Sequence, residues 1–142
     1  MDTKELAHAV AESMLSDDGC STMLGIEIVE ADARFVKVQM TVREDMVNSH
    51  GLCHGGMIFT LADTAFAFAC NSENHSALAA GALVDFLAPG KLGDVLTAEA
   101  RAVSQAKRKG VYDATVVNQE GRLIAVFRGQ SQRLGEPKIE VD

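Results

Sequence analysis

The run Asn48-Ser49-His50-Gly51-Leu52-Cys53-His54-Gly55-Gly56 leads without a break into the apolar segment Met57 to Cys70, whose one ionisable residue is Asp63. A carboxylate in the middle of so apolar a helix costs free energy unless it is paired or used. Two glycines at a helix start offer backbone N–H groups, unencumbered by side chains, to an anion or a polarised carbonyl. Acid and donor together suit attack on an acyl group.

These groups need a frame to hold them. Leu6, Ala7, Val10, Ala11 and Met14 recur at helical spacing, which predicts an N-terminal helix over 3–16, ended by Asp17-Asp18-Gly19. Val36, Val38, Met40 and Val42 alternate with Lys37, Gln39 and Thr41, a strand with one wet face, and Leu24 to Glu30 is its expected hairpin partner. After the helix Met57 to Cys70 come strands at Ala77 to Leu87, Val95 to Gln105, Val111 to Asn118 and Leu123 to Arg133. The turns between them are Ala88-Pro89-Gly90, Lys107 to Gly110 and Asn118 to Gly121. A helix apolar nearly all round must be surrounded, and an antiparallel sheet curled around it achieves that. The expected class is α+β.

Composition narrows the function. With 142 residues, 47% of them hydrophobic, the chain suits one domain over 1–142 with a core of about 20–135. A formal net charge of −7 argues against nucleic acid as the main partner. No basic and apolar leader opens the chain, and Met57 to Cys70 is too short and too polar to span a bilayer, so no membrane partner is expected. Three cysteines, Cys20, Cys53 and Cys70, lack the spacing of a disulfide framework, which fits a reduced, cytoplasmic setting.

Taken together, Asn48, His54-Gly55-Gly56, Leu61-Ala62-Asp63-Thr64-Ala65, Asp85 to Gly90, Gly93-Asp94 and Phe127-Arg128-Gly129 resemble the hotdog-fold acyl-CoA thioesterases, most of all their phenylacetic-acid-degradation (PaaI-type) branch. The spacing from His54-Gly55-Gly56 to Asp63 is the specific part of the match. The resemblance implies an antiparallel sheet wrapped around a long central helix and a homodimer assembling into a homotetramer. It also implies hydrolysis of an acyl-CoA, such as phenylacetyl-CoA or a ring-modified relative, to the free acid and CoA. In similar enzymes the glycine polarises the thioester carbonyl, Asn and His orient it, and the helix acid drives attack. Those roles fall on Gly55, Asn48, His54 and Asp63. No cofactor is implied, since coenzyme A belongs to the substrate.

The chemistry stands beside that resemblance. A thioester has an electrophilic carbonyl and a good leaving group, so a donor for the developing oxyanion and a carboxylate acting as nucleophile or general base suffice. Each residue also has a plainer role: Asp63 as a structural acid, Gly55 and Gly56 as room for a helix start, His54 as a cap, Asn48 as a turn residue. Cys53 beside His54 suggests a thiol nucleophile, yet adjacent side chains diverge. His50, Cys53 and His54 lack a fourth metal ligand nearby, so no metal is expected. Phe59, Phe66 and Phe68 suit the core.

Lys91, Arg128 and Arg133 are candidates for the phosphates of CoA, as are Lys107, Arg108 and Lys109, though these three fit a solvated turn better. One departure from some relatives is the lack of a hydroxyl in the middle of Ala77 to Ala82. Ser76 and Thr64 are the nearest candidates to orient water. Two rival functions remain: a hydratase or dehydratase on an acyl thioester, and a non-catalytic acyl-CoA-binding protein. Eight helical residues from Gly55 to Asp63 span about 12 Å. One carbonyl cannot meet both, so an active site shared across a two-fold dimer is expected.

Overall fold

The structure, a computed structural model, describes residues 1–142. In chain order the elements are α1 (Thr3–Asp17), α2 (Gly19–Met23), β1 (Glu27–Asp32), β2 (Phe35–Thr41), a 3-10 turn (Glu44–Met46), α3 (Gly55–Asn71), β3 (Ala77–Phe86), β4 (Val95–Gln105), β5 (Lys109–Val117) and β6 (Leu123–Arg133). The strands form one antiparallel sheet in the order β1-β2-β4-β5-β6-β3, with α3 packed against it. This is the α+β hotdog arrangement expected.

Strand alternation builds the core. Val36, Val38 and Met40 of β2, Leu96, Ala98 and Ala100 of β4, and Tyr112, Ala114 and Val116 of β5 are buried at every second position. Ile58, Leu61, Ala65, Phe66 and Phe68 of α3 are buried with them. The alanines in mid-strand let the helix lie close to the sheet. Gly129 on β6 does the same at one point, where a Cβ would come within 2.8 Å of the Phe66 ring. Fully burying a side chain such as Leu61 or Phe66 contributes about 1.5–3 kcal/mol, an upper figure for a partly collapsed unfolded chain.

Several boundaries differ from the periodicity, and one short helix is additional. α3 starts at Gly55, two residues before its apolar run, because the His54 side chain caps it and the glycines follow as its first turn. β1 starts at Glu27 and not at Leu24, because Leu24 closes the extra short helix α2 and Gly25 turns the chain at φ +70°. That short helix is started by Asp18, whose Oδ1 accepts from the Ser21 N–H at 2.9 Å, a cap too local to leave a periodic signal.

The two sheet edges differ. α1 lies along β1 and covers that side. β3 pairs only with β6, and its other edge is bare, with Leu78, Leu83 and Phe86 exposed along the strand. No helix is long and apolar enough to cross a membrane.

Candidate active site

Helix α3 carries both chemical groups, each without a hydrogen-bond partner in the chain. At its start, His54 holds extended backbone, φ −59° and ψ 134°, and its Nδ1 accepts the Gly56 N–H at 2.9 Å. That bond places the imidazole proton on Nε2. The His54 N–H donates to the Met46 carbonyl at 2.7 Å, which ties the helix start to the 3-10 turn. The Gly55 N–H, first in the helix, has no acceptor in the chain. A free donor thus stands on the positive end of a 17-residue helix.

Asn48 reaches the same place. Its Oδ1 accepts from the N–H groups of His50 (2.9 Å) and Leu52 (3.2 Å), which folds the loop 48–52 into a tight turn. This is the turn role the sequence allowed, and it fixes the side chain so that its NH₂ is the half left over. Asn48 and Gly55 line a cleft of about 370 Å³ with Leu52, Cys53, Ile58 and the segment 86–90. His54 faces the other side of the helix start, a smaller hollow of about 200 Å³ with Asp45, Val47 and Met57. Asn48 and Gly55 are brought together; His54 flanks them as the cap.

Asp63 stands two turns along α3, on the stripe Thr60, Asp63, Ala67 that the sheet leaves half-exposed. No hydrogen bond within the chain reaches its carboxylate. Burial pushes its pKa above the ordinary carboxylate value, and the Asp18 carboxylate adds to the shift. A half-buried, unpaired acid of raised pKa is suited to accept a proton or to attack. The helix is unbroken from Gly55 to Asn71, so the separation of about 12 Å between donor and acid stands within one chain.

The competing groups look different. Burial pushes the Cys53 thiol up to about 11, with Asp94 adding to it, which leaves the thiol protonated and unreactive at neutral pH. Thr64 is buried with its hydroxyl 3.1 Å from that of Ser21, which occupies it structurally. No group of three or more His, Cys, Asp and Glu side chains converges as metal ligands would.

The candidate cations lie apart. Lys91 is exposed beside the cleft, its backbone N–H held by Asp94 Oδ2 at 2.9 Å. Arg128 stands on the outer face of the sheet, paired twice with Asp113 at 2.6 and 2.9 Å. Arg133 is at the far end of α3, where it lines a hollow of about 400 Å³ with His75, Lys107 and Arg108. Its Nη2 reaches Glu73 at 3.3 Å and its buried Nε has no partner. The residue missed by the sequence reading is Phe86, whose ring lies against Gly55. Strand alternation was the available signal, since Val84 and Phe86 both face the helix.

The Thioesterase superfamily profile matches residues 50–125, which contain both ends of this site. The acyl-coenzyme A thioesterase PaaI of Escherichia coli is 50% identical over 125 residues, covering 88% of this chain and 89% of that protein. The structure of E. coli PaaI, from the phenylacetic acid degradation operon, superposes with a TM-score of 0.94 at 46% identity, covering 96% of this chain and 99% of that one. The smu.793 protein of Streptococcus mutans, solved with acetyl CoA bound, aligns at a TM-score of 0.76 and 29% identity, covering 79% and 90%. With the fold, the free donor at the helix start and the unpaired acid in one frame, the chain belongs to the thioesterase superfamily and is a thioester hydrolase.

Proposed function

We propose that the chain hydrolyses an acyl-CoA, with an arylacetyl-CoA such as phenylacetyl-CoA or a ring-modified relative as its substrate, to the free acid and CoA. The observation that carries the reading is the pair of unsatisfied groups on α3, the Gly55 N–H and the Asp63 carboxylate. The thioester oxygen accepts from the Gly55 N–H, and the Asn48 NH₂ in the same cleft adds a second donor. The acid comes from a second copy. A two-fold dimer that sets the two α3 helices antiparallel brings Asp63 of the partner subunit to Gly55, and the bare β3 edge with its exposed apolar residues supports pairing there. The carboxylate then either takes a proton from a water that attacks the carbonyl carbon, or attacks that carbon itself to give a mixed anhydride that water hydrolyses to the free acid. In both, the C–S bond breaks and CoA leaves as a thiolate. His54, through its outward Nε2–H, helps to hold the substrate.

Lys91 beside the cleft and the cations around Arg133 are suited to the phosphates of CoA, while Arg128 would first have to leave Asp113. Dimers associate further into a homotetramer, no metal or other cofactor takes part, and the setting is cytoplasmic. The relatives' names support the substrate: one is an acyl-coenzyme A thioesterase, another was solved with acetyl CoA.

The test is to incubate the protein with phenylacetyl-CoA and straight-chain acyl-CoAs and follow free CoA. Free CoA and acid in equal amounts bear the reading out. Hydration of an enoyl-CoA without CoA release would favour the hydratase reading, and tight binding without turnover the binding protein.

A further inference from the structure

Phe86 ends β3 opposite Ala125 of β6, on the face of the sheet that looks toward α3. A Cβ built on Gly55 would lie 3.0 Å from its Cζ and 3.4 Å from both Cε atoms. The ring therefore rests on the first turn of α3, beside the free N–H. Its backbone is pinned, since the next two N–H groups, of Leu87 and Ala88, both donate to the Ile124 carbonyl at 2.8 and 3.2 Å. Only the side chain can yield.

The other aromatics nearby behave differently. Phe59, Phe66, Phe127 and Tyr112 pack on one another, with ring centres 5.6–5.8 Å apart. Phe86 has no aromatic partner and is 52% exposed. On the same strand face the next position is Val84, half-buried opposite Phe127, and the positions past it are small: Ala82 lies opposite Gly129 and Ala79 opposite Ser131. The small side chains of β3 on that flank, residues 79–82, begin only past Val84. On the other flank, past Pro89 and Gly90, the cleft opens toward the exposed Lys91, where an anionic nucleotide is better placed.

We propose that Phe86 is a specificity-determining residue: its ring is the wall on which the acyl group packs once its carbonyl is held at Gly55, and it selects acyl groups that carry an aromatic ring over straight chains. This rests on the reading of Gly55 as the carbonyl donor. An aromatic ring gains from offset or edge-to-face contact with another, which converts to about two- to tenfold in specificity. A flexible alkyl chain makes the same area of contact but gains nothing from the ring's quadrupole and loses rotamer freedom.

The experiment compares kcat/KM for phenylacetyl-CoA and hexanoyl-CoA in the native protein, Phe86→Leu and Phe86→Ala. Leucine keeps apolar bulk and removes the ring, so it also serves if the alanine variant fails to fold. In Phe86→Leu, kcat/KM for phenylacetyl-CoA should fall about two- to tenfold, mostly through KM, while hexanoyl-CoA stays within about twofold. An unchanged ratio between the two substrates in an active leucine variant overturns the proposal and leaves the role of Gly55 intact. A native protein that releases CoA from neither substrate overturns both.

Discussion

The two ends of α3 are built on opposite terms. At its C-terminal end the side chains of Asn71 and Ser72 are fully engaged. The Asn71 NH₂ donates to the Ala67 and Ala77 carbonyls at 2.8 and 3.2 Å, and Asn71 Oδ1 accepts the Ala77 N–H at 3.0 Å. The Ser72 hydroxyl donates to the Ala69 carbonyl at 2.6 Å and accepts the Arg34 N–H at 2.7 Å. At the N-terminal end His54 satisfies Gly56 and leaves Gly55 free, and further along Asp63 is left unpaired. Unmade hydrogen bonds at buried or half-buried groups cost stability, and the open groups at Gly55 and Asp63 are those the proposed reaction uses. The closed end holds β3 to the helix; the open end carries the groups proposed for the chemistry.

The sharpest way to break this contrast is at Asp63. Asp63→Asn keeps the size and removes the charge. Steady-state hydrolysis should fall by about two to four powers of ten with the circular dichroism spectrum unchanged, the range for loss of an acid–base group. In the native protein the acid limb of kcat against pH should lie above the ordinary aspartate range, as its raised pKa requires. Loss of fold and activity together would return Asp63 to a structural role.

The opposite substitution probes the closed end. Asn71→Ala orphans the Ala77 N–H and removes two side-chain donations, which should cost about 2–4 kcal/mol in urea unfolding. Activity per folded molecule should hold within about twofold, because Asn71 touches nothing near Gly55. A large fall in kcat with stability intact would show that the closed end also serves the reaction.

The smallest effect has the most particular sign. Asp63 has a folded pKa above its unfolded value, so the folded state favours the protonated form. Its contribution is fully present below the unfolded pKa and is lost as pH rises through the folded pKa. At neutral pH the ionised acid is therefore a liability, and Asp63→Asn should raise Tm by about 1–3 °C there, discounted for its partial exposure. Below about pH 4 that gain should vanish. A variant that melts lower than the native protein at pH 7 would mean that Asp63 has a stabilising partner.

Much of this was legible in the residues. Helical spacing placed α1, an apolar run placed α3, alternation placed β2 and turn residues divided the later strands, while the spacing from His54-Gly55-Gly56 to Asp63 carried the family. The plainer roles of Asn48 and His54 are present too: one oxygen of Asn48 folds its own loop and one nitrogen of His54 caps α3, and the atoms left over are those available to a substrate. What the residues did not disclose depends on register. The Arg128 and Asp113 side chains meet because β5 and β6 set them opposite each other across 15 positions. Phe86 reaches Gly55 because β3 and α3 converge at one end. The short helix α2 rests on a single aspartate cap within five residues, too few for any period.

The account turns on the unsatisfied groups belonging to one site shared by two chains. Mixing two inactive variants tests that most directly. Asp63→Ala removes the acid. Gly55→Pro removes the donor at the first helical position, where the backbone suits proline because His54 already has the extended conformation that precedes it, and the Phe86 ring must give way to the new side chain. In a mixed dimer the proline chain still offers its Asp63 to the intact Gly55 of its partner. Co-refolding equal amounts should recover up to roughly a quarter of native activity, from random pairing and one good site per mixed dimer. Well-folded mixed dimers that remain as inactive as either variant alone would contradict the shared site.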